Sequence, residues 1–177
     1  MLLEPYYSRR THLRGLTYSP SVHIHLWVQS PLLAGGVDHL LRLCSLALAA
    51  ALLGNFIASG SVAIAPGEDI PIAASILVEF LFTFALALTV LNVATAKGTK
   101  GNSFYGLAIG FMVMCGAFAG GSISGGAFNP AVGIGLSVGA FFEGSGGSWV
   151  LLYILAPLAG GALAAYVFKL QGNEDDL

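Results

Sequence analysis

Between two long apolar runs stands Gly125-Gly126-Ala127-Phe128-Asn129-Pro130-Ala131-Val132, and its triplet Asn129, Pro130, Ala131 carries the most chemistry in the chain. Pro fits the first position of a helix, where its missing N–H costs nothing, and an Asn before it caps the same helix. The triplet therefore predicts a short helix starting at Asn129 and Pro130. Gly120, Gly121, Gly125 and Gly126 precede it and are expected to form irregular backbone. Such backbone persists at membrane depth only where its polar groups face a cavity or protein. A helix that starts inside a bilayer turns its positive dipole end toward whatever passes. That context makes the stretch a pore signature.

The elements that must position the triplet are membrane spans. Hydrophobic residues make up 56% of the chain and charged residues 9%, and the mean hydropathy is +0.81, whereas a soluble domain carries about 25% charged residues. Four apolar runs, residues 40–58, 72–95, 105–119 and 149–170, reach or approach the roughly 20 residues that cross a bilayer. The loop after the first run holds Glu68 and Asp69, and the loop after the second holds Lys97 and Lys100. By the positive-inside rule the lysine loop and the C-terminus are expected in the cytoplasm, in a multi-pass protein of a cell or inner membrane. Residues 1–11 show no signal-peptide core. The net charge of -2, with no basic cluster beyond Arg9, Arg10 and Arg14, excludes a nucleic-acid partner as an expectation. Cys44 and Cys115 both lie in apolar runs and read as buried thiols, and no ligand pattern calls for a metal or cofactor.

A shift of 110 residues lays the early chain on the late one without a gap. Pro20 falls on Pro130; Val22, Ile24, Leu26 and Val28 fall on Val132, Ile134, Leu136 and Val138. Gly36, Leu41, Leu48, Ala49 and Leu53 fall on Gly146, Leu151, Leu158, Ala159 and Leu163. Ser19-Pro20-Ser21 is then a degraded counterpart of Asn129-Pro130-Ala131. Each would open a half-helix, and three intervening spans make the two enter from opposite faces.

On these residues the chain resembles the aquaporin (major intrinsic protein) family over residues 14–170. Residues 78–84 resemble the opening of that family's fourth span, residues 105–132 its fifth span and second Asn-Pro-Ala loop, and residues 149–170, with Pro157, Gly160 and Gly161, its sixth. The resemblance implies an all-α integral membrane bundle with re-entrant half-helices and four of the usual six spans. It further implies residues 1–13 as an unstructured leader, residues 171–177 as an acidic cytoplasmic tail, and a homotetramer with one pore per subunit. Water or small neutral solutes (glycerol, urea or ammonia) would pass in single file, with Asn129 donating a hydrogen bond to them.

Three departures from the family pattern set further expectations. The first two spans have no counterpart, which points to a truncated or wrongly started reading frame, to a non-conducting relic, or to a separate polypeptide that supplies them. Ser19, Pro20 and Ser21 replace the first Asn-Pro-Ala. The family's filter positions are Ala117, Gly126 and Val132, the last where an Arg is usual; together they imply a wide, uncharged, largely apolar constriction. Glu79, inside an apolar run, is expected to be paired or functional, and the family resemblance implies that it accepts hydrogen bonds from the pore-loop backbone rather than relaying protons. Asn92 is read as an interhelical hydrogen-bonder, His23 and His25 as packing or pore-facing, and Trp27 and Trp149 as interfacial. An enzyme is not expected, since the spans lack any nucleophile–base pair.

Overall fold

The computed structural model describes residues 36–58, 63–142, 144 and 149–171. The expectations on Ser19, Pro20, Ser21, His23, His25, Trp27, the leader 1–13 and the tail from 172 lie outside the described residues. Five α-helices follow in order: α1 (Gly36–Ala58), α2 (Ile72–Val90), α3 (Tyr105–Ser124), α4 (Pro130–Phe142) and α5 (Val150–Gln171). Ile72–Thr95, Tyr105–Ser124 and Val150–Gln171 are long and apolar enough to cross a bilayer. In α1 the described apolar run is Leu41–Ile57.

Small residues decide how these helices pack, because apolar side chains gain nothing by leaving lipid for protein. A Cβ at Gly160 of α5 would meet the Phe80 carbonyl and lie 3.0 Å from the Phe84 nitrogen, so α5 rests on α2 backbone to backbone. Below that crossing Ala164 and Phe168 bury against Ala87, Val90, Leu91 and Ala94. On the other side, a Cβ at Gly135 of α4 would lie 2.7 Å from the Ala47 carbonyl, and one at Gly139 would lie 3.1 Å from the Ala51 Cβ. Asn55 Nδ2 of α1 donates to the Gly139 carbonyl at 3.3 Å, near the end of α4.

The C-terminal end of α2 widens into a π turn, Leu91–Thr95, closed by Ala96 N–H on the Leu91 carbonyl at 3.1 Å. Thr95 Oγ1 donates to that same carbonyl at 2.6 Å, and Thr99 Oγ1 donates to the Asn92 carbonyl at 2.6 Å. Asn102 Nδ2 reaches the Val93 and Thr99 carbonyls, each at 2.6 Å, and fixes the connection into α3. Asn92 Nδ2 bonds Leu88 O in its own helix at 2.9 Å and Gln171 Oε1 of α5 at 3.4 Å.

Two expectations are corrected. The third apolar run extends to Ser124, five residues past its expected end. Gly120 and Gly121 are accordingly helical, and only Gly125 and Gly126 form the irregular segment. The reason is packing: a Cβ at Gly120 would lie 2.6 Å from Val78 Cγ1 and 3.1 Å from Phe128 Cζ, so this glycine lets α3 approach α2 and the loop. Cys115 is exposed on α3, and Cys44 is half-buried, where both were expected to be buried.

Candidate functional site

Residues 125–129 connect the end of α3 to the start of α4 inside the bundle, and three buried side chains hold them. Glu79 of α2 is fully buried. Its Oε1 accepts from the Ala127 N–H at 2.9 Å and from Ser124 Oγ at 2.8 Å, and its Oε2 accepts from the Phe128 N–H at 2.7 Å. A buried carboxylate costs several kcal/mol unless donors surround it, and these supply that compensation. Ser124 Oγ also accepts from the Gly126 N–H at 3.2 Å. Tyr153 of α5, fully buried, donates its hydroxyl to the Ser124 carbonyl at 2.6 Å.

The backbone of this segment is left-handed at Gly125 (φ 86°), Gly126 (φ 71°) and Phe128 (φ 45°). At Gly125 space is short as well, because a Cβ would lie 2.6 Å from Ile64 Cγ1 and 3.0 Å from the Ala65 carbonyl. At Gly126 the nearest atom to such a Cβ is 3.4 Å away, so its backbone angle sets the requirement there. Phe128 tolerates its angle because its ring is buried beside Phe82, with centroids 5.3 Å apart and planes tilted by 46°.

A consequence follows from peptide planarity. In a trans peptide the N–H of one residue and the carbonyl of the residue before it point in opposite directions, and no cis bond occurs here. With the Ala127 and Phe128 N–H groups turned to Glu79, the Gly126 and Ala127 carbonyls point away from α2. Beyond them Asn129 Oδ1 accepts from the Ala131 N–H at 3.0 Å and its carbonyl accepts from Gly133 N–H at 3.0 Å, the geometry of a capped helix start. Pro130 and Ala131 are buried. A short helix thus begins in the interior, its first N–H groups beside a pair of outward-turned carbonyls.

The three expected filter positions stand on three different elements. Ala117 is exposed on α3, and Gly126 is half-buried and packs near Gly121, one turn further along that helix. Val132 lies in the first turn of α4 and borders an apolar cavity of about 220 Å³, shared with Leu136 and with Ala47, Ala50, Ala51 and Gly54 of α1. Trp149 is half-buried against Ile64, Leu152 and Tyr153 at the start of α5.

Sequence reading missed Ser124, Tyr153 and the segment before α2. In that segment Gly67 N–H donates to the Ile123 carbonyl at 3.0 Å and Ile64 buries beside Ala127, while Ser75 Oγ of α2 donates to the same Ile123 oxygen at 2.9 Å. A tyrosine inside the apolar run of α5 and a serine before two glycines were the available signals.

The chain matches the major intrinsic protein family over residues 14–168. It is 32% identical over 157 residues to Aquaporin-B of Dictyostelium discoideum, covering 72% of this chain and 51% of that protein. It is 38% identical over 98 residues to glycerol uptake facilitator protein-like 6 of Lactiplantibacillus plantarum, covering 55% and 44%. A probable TIP-type aquaporin of Antirrhinum majus is 32% identical over 171 residues, covering 91% and 64%. The matched part amounts to between 44% and 64% of these relatives, so the chain spans about half their length. With the apolar helices, the buried carboxylate holding the re-entrant loop and the family match together, this is a multi-pass membrane protein, not an enzyme, and it belongs to the major intrinsic protein family of aquaporins.

Proposed function

We propose that the chain forms part of a passive channel for water and small neutral solutes of the glycerol and urea class. The observation that carries this reading is the re-entrant loop, whose N–H groups are bound to Glu79 so that the Gly126 and Ala127 carbonyls are turned away from α2. Two successive acceptors followed by an amide side chain and a helix N-terminus make a ladder on which a neutral hydroxyl or amide solute can exchange hydrogen bonds for those it had in water. Asn129 has its Oδ1 turned to the Ala131 N–H of its own helix. The positive end of α4 opposes cations at the same level. Ala117, Gly126 and Val132 bring neither charge nor bulk, so size and not charge would discriminate among solutes. The relatives include a protein named as a glycerol uptake facilitator as well as aquaporins, which supports a substrate range wider than water. Assembly as a homotetramer belongs to the same reading.

Stopped-flow light scattering on proteoliposomes containing the full chain tests it. Water, glycerol and urea are expected to cross faster than in protein-free vesicles, and Val132→Arg is expected to slow glycerol and urea more than water. Water passage with glycerol and urea excluded in the unaltered chain would remove the wide-filter reading. No passage of any of the three by folded protein would remove the channel reading for this chain.

The sidedness belongs to the same proposal. Gly67 bonds the end of α3, so the Glu68 and Asp69 loop lies at the opposite end of the bundle from Lys97 and Lys100, and the charge bias puts the lysines, and with them the C-terminus, in the cytoplasm. Glu68→Cys and Lys100→Cys, at exposed positions, should label with an impermeant thiol reagent in intact cells at position 68 only, against a Cys115→Ser background. Labelling at position 100 alone would invert the orientation. Gly67 itself is unsuited, since a side chain there meets the Ser122 carbonyl.

A further inference from the structure

A helix leaves its last four carbonyls without partners in the next turn, and at the end of α3 three of these oxygens find donors, one in the capping glycine and two from other elements. Gly121 O accepts from the Gly125 N–H at 2.9 Å. Ile123 O accepts from Gly67 N–H at 3.0 Å and from Ser75 Oγ at 2.9 Å. Ser124 O accepts from Tyr153 Oη at 2.6 Å. The segment before α2, α2 itself and α5 therefore all converge on one helix end, five residues before Asn129. Of these donors Tyr153 is the one placed to act on the loop. Its acceptor residue, Ser124, is the same residue whose hydroxyl bonds Glu79 and receives the Gly126 N–H. Its ring meets α4 as well, for a Cβ at Gly133 would run into the Tyr153 Cβ, and one at Gly125 would lie 3.3 Å from the Tyr153 hydroxyl.

We infer that Tyr153 is a positioning residue for the pore loop: by holding the Ser124 carbonyl it sets the rotation of the last turn of α3. That rotation in turn fixes where Gly126, the Glu79-bound amides and Asn129 stand along the conduit. It rests on the reading that residues 125–131 line the pore. Tyr153→Phe keeps the ring that packs on Gly133 and removes only the hydroxyl, leaving the Ser124 carbonyl buried without its donor. The expected result is selective. Amides in peptides spanning residues 125–131 should exchange with deuterium faster by roughly ten- to a hundredfold, while those of α2 and the C-terminal half of α5 stay as in the unaltered chain. Tyr166→Phe, at an exposed tyrosine of the same helix, should change neither. Ser124→Ala should raise exchange in the same peptides, and the double variant should add little to the larger single effect, because one unit is broken in both.

In proteoliposomes Tyr153→Phe should alter the ratio of glycerol to water permeability at equal protein content, which simple loss of folded channels cannot do. Unchanged exchange in 125–131 in the folded variant would overturn the positioning role. Raised exchange with an unchanged permeability ratio would instead overturn the pore-lining reading on which it rests. If Tyr153→Phe does not accumulate, solid-state NMR on the unaltered chain decides. Magnetisation transfer from the Tyr153 hydroxyl proton to a labelled Ser124 carbonyl carbon supports the assignment, and its absence overturns it.

Discussion

Helices α3 and α5 are nearly alike in sequence character and are held in opposite ways. Among the described residues, 44% of the apolar stretch is buried in α5 and 11% in α3. Helix α5 is seated by area: Gly160 against the α2 backbone, Ala164 and Phe168 in a buried cluster, Tyr153 against α4. By contrast α3 is seated by points. Gly116 and Gly120 let it approach Phe82, Phe128 and Val78, polar bonds hold its C-terminal end, and Asn102 fixes the turn that leads into it. The difference shows what each helix is for. A helix seated by area supports the bundle, whereas one seated by a few directional bonds near the loop can set the height of that loop without a large interface.

The strongest test of that contrast is Gly160→Leu. The added side chain would have to displace the Phe80 carbonyl, which belongs to backbone and cannot rotate aside. Pushing α5 off α2 should cost above roughly 3 kcal/mol, seen as loss of membrane-integrated protein and of thermal stability in detergent. Near-normal accumulation would mean that α5 is not seated on α2 by this crossing. Next in size is Glu79→Gln. Its amide offers one oxygen where three donors converge, and its NH2 must face at least one of Ser124 Oγ, Ala127 N–H or Phe128 N–H. A destabilisation of about 1–3 kcal/mol is expected, with permeability falling further than protein level because the loop, not the bundle, is what loosens. Equal falls in both would make Glu79 a support of the bundle as a whole.

Smaller effects separate the two loop glycines. Gly125→Ala meets Ile64 Cγ1 and the Ala65 carbonyl in addition to its positive φ, whereas Gly126→Ala meets only its positive φ. Strain alone is worth about 1 kcal/mol, so Gly126→Ala should cost about that much and Gly125→Ala clearly more, both read as shifts in thermal unfolding in detergent. The reverse order would mean that the segment before α2 yields easily, and that its bond to Ile123 holds nothing.

Much of this architecture is legible in the sequence, and the reasons differ by residue. The spans follow from apolar length, and the start of α4 from Asn129 and Pro130, because these are local rules of solvation and capping. Glu79 could be singled out since a lone carboxylate in an apolar run must find donors. Its partners could not be read, because Ser124, Ala127 and Phe128 lie 45 to 49 residues away and nothing local marks them. The boundary of α3 was misplaced at Ala119 because glycine weakens a helix in isolation, while here Gly120 serves a close helix contact that only the neighbours Val78 and Phe128 reveal. Tyr153 was hidden for a related reason: an apolar run with one phenol in it is ordinary until the Ser124 carbonyl is found beneath it.

The smallest expected effect lies on the N-terminal half of α3, at Gly106 and Gly110. Both are exposed, and a Cβ built at either meets nothing within 4 Å among the described residues. Alanine there adds no clash and removes backbone freedom that glycine must lose in the helix, a gain of roughly 0.5–1 kcal/mol per site. The double variant Gly106→Ala, Gly110→Ala should therefore accumulate as well as the unaltered chain, unfold at the same or a slightly higher temperature, and leave the ratio of glycerol to water permeability unchanged. That outcome would sharpen the contrast, since α3 would be shown to depend on Gly116, Gly120 and the bonds at Ile123 and Ser124 and on nothing along its N-terminal half. A loss of stability would break it. Two methyl groups facing lipid have no mechanism to destabilise, so such a loss requires a protein surface packed closely on Gly106 and Gly110, and α3 would then be seated by area like α5.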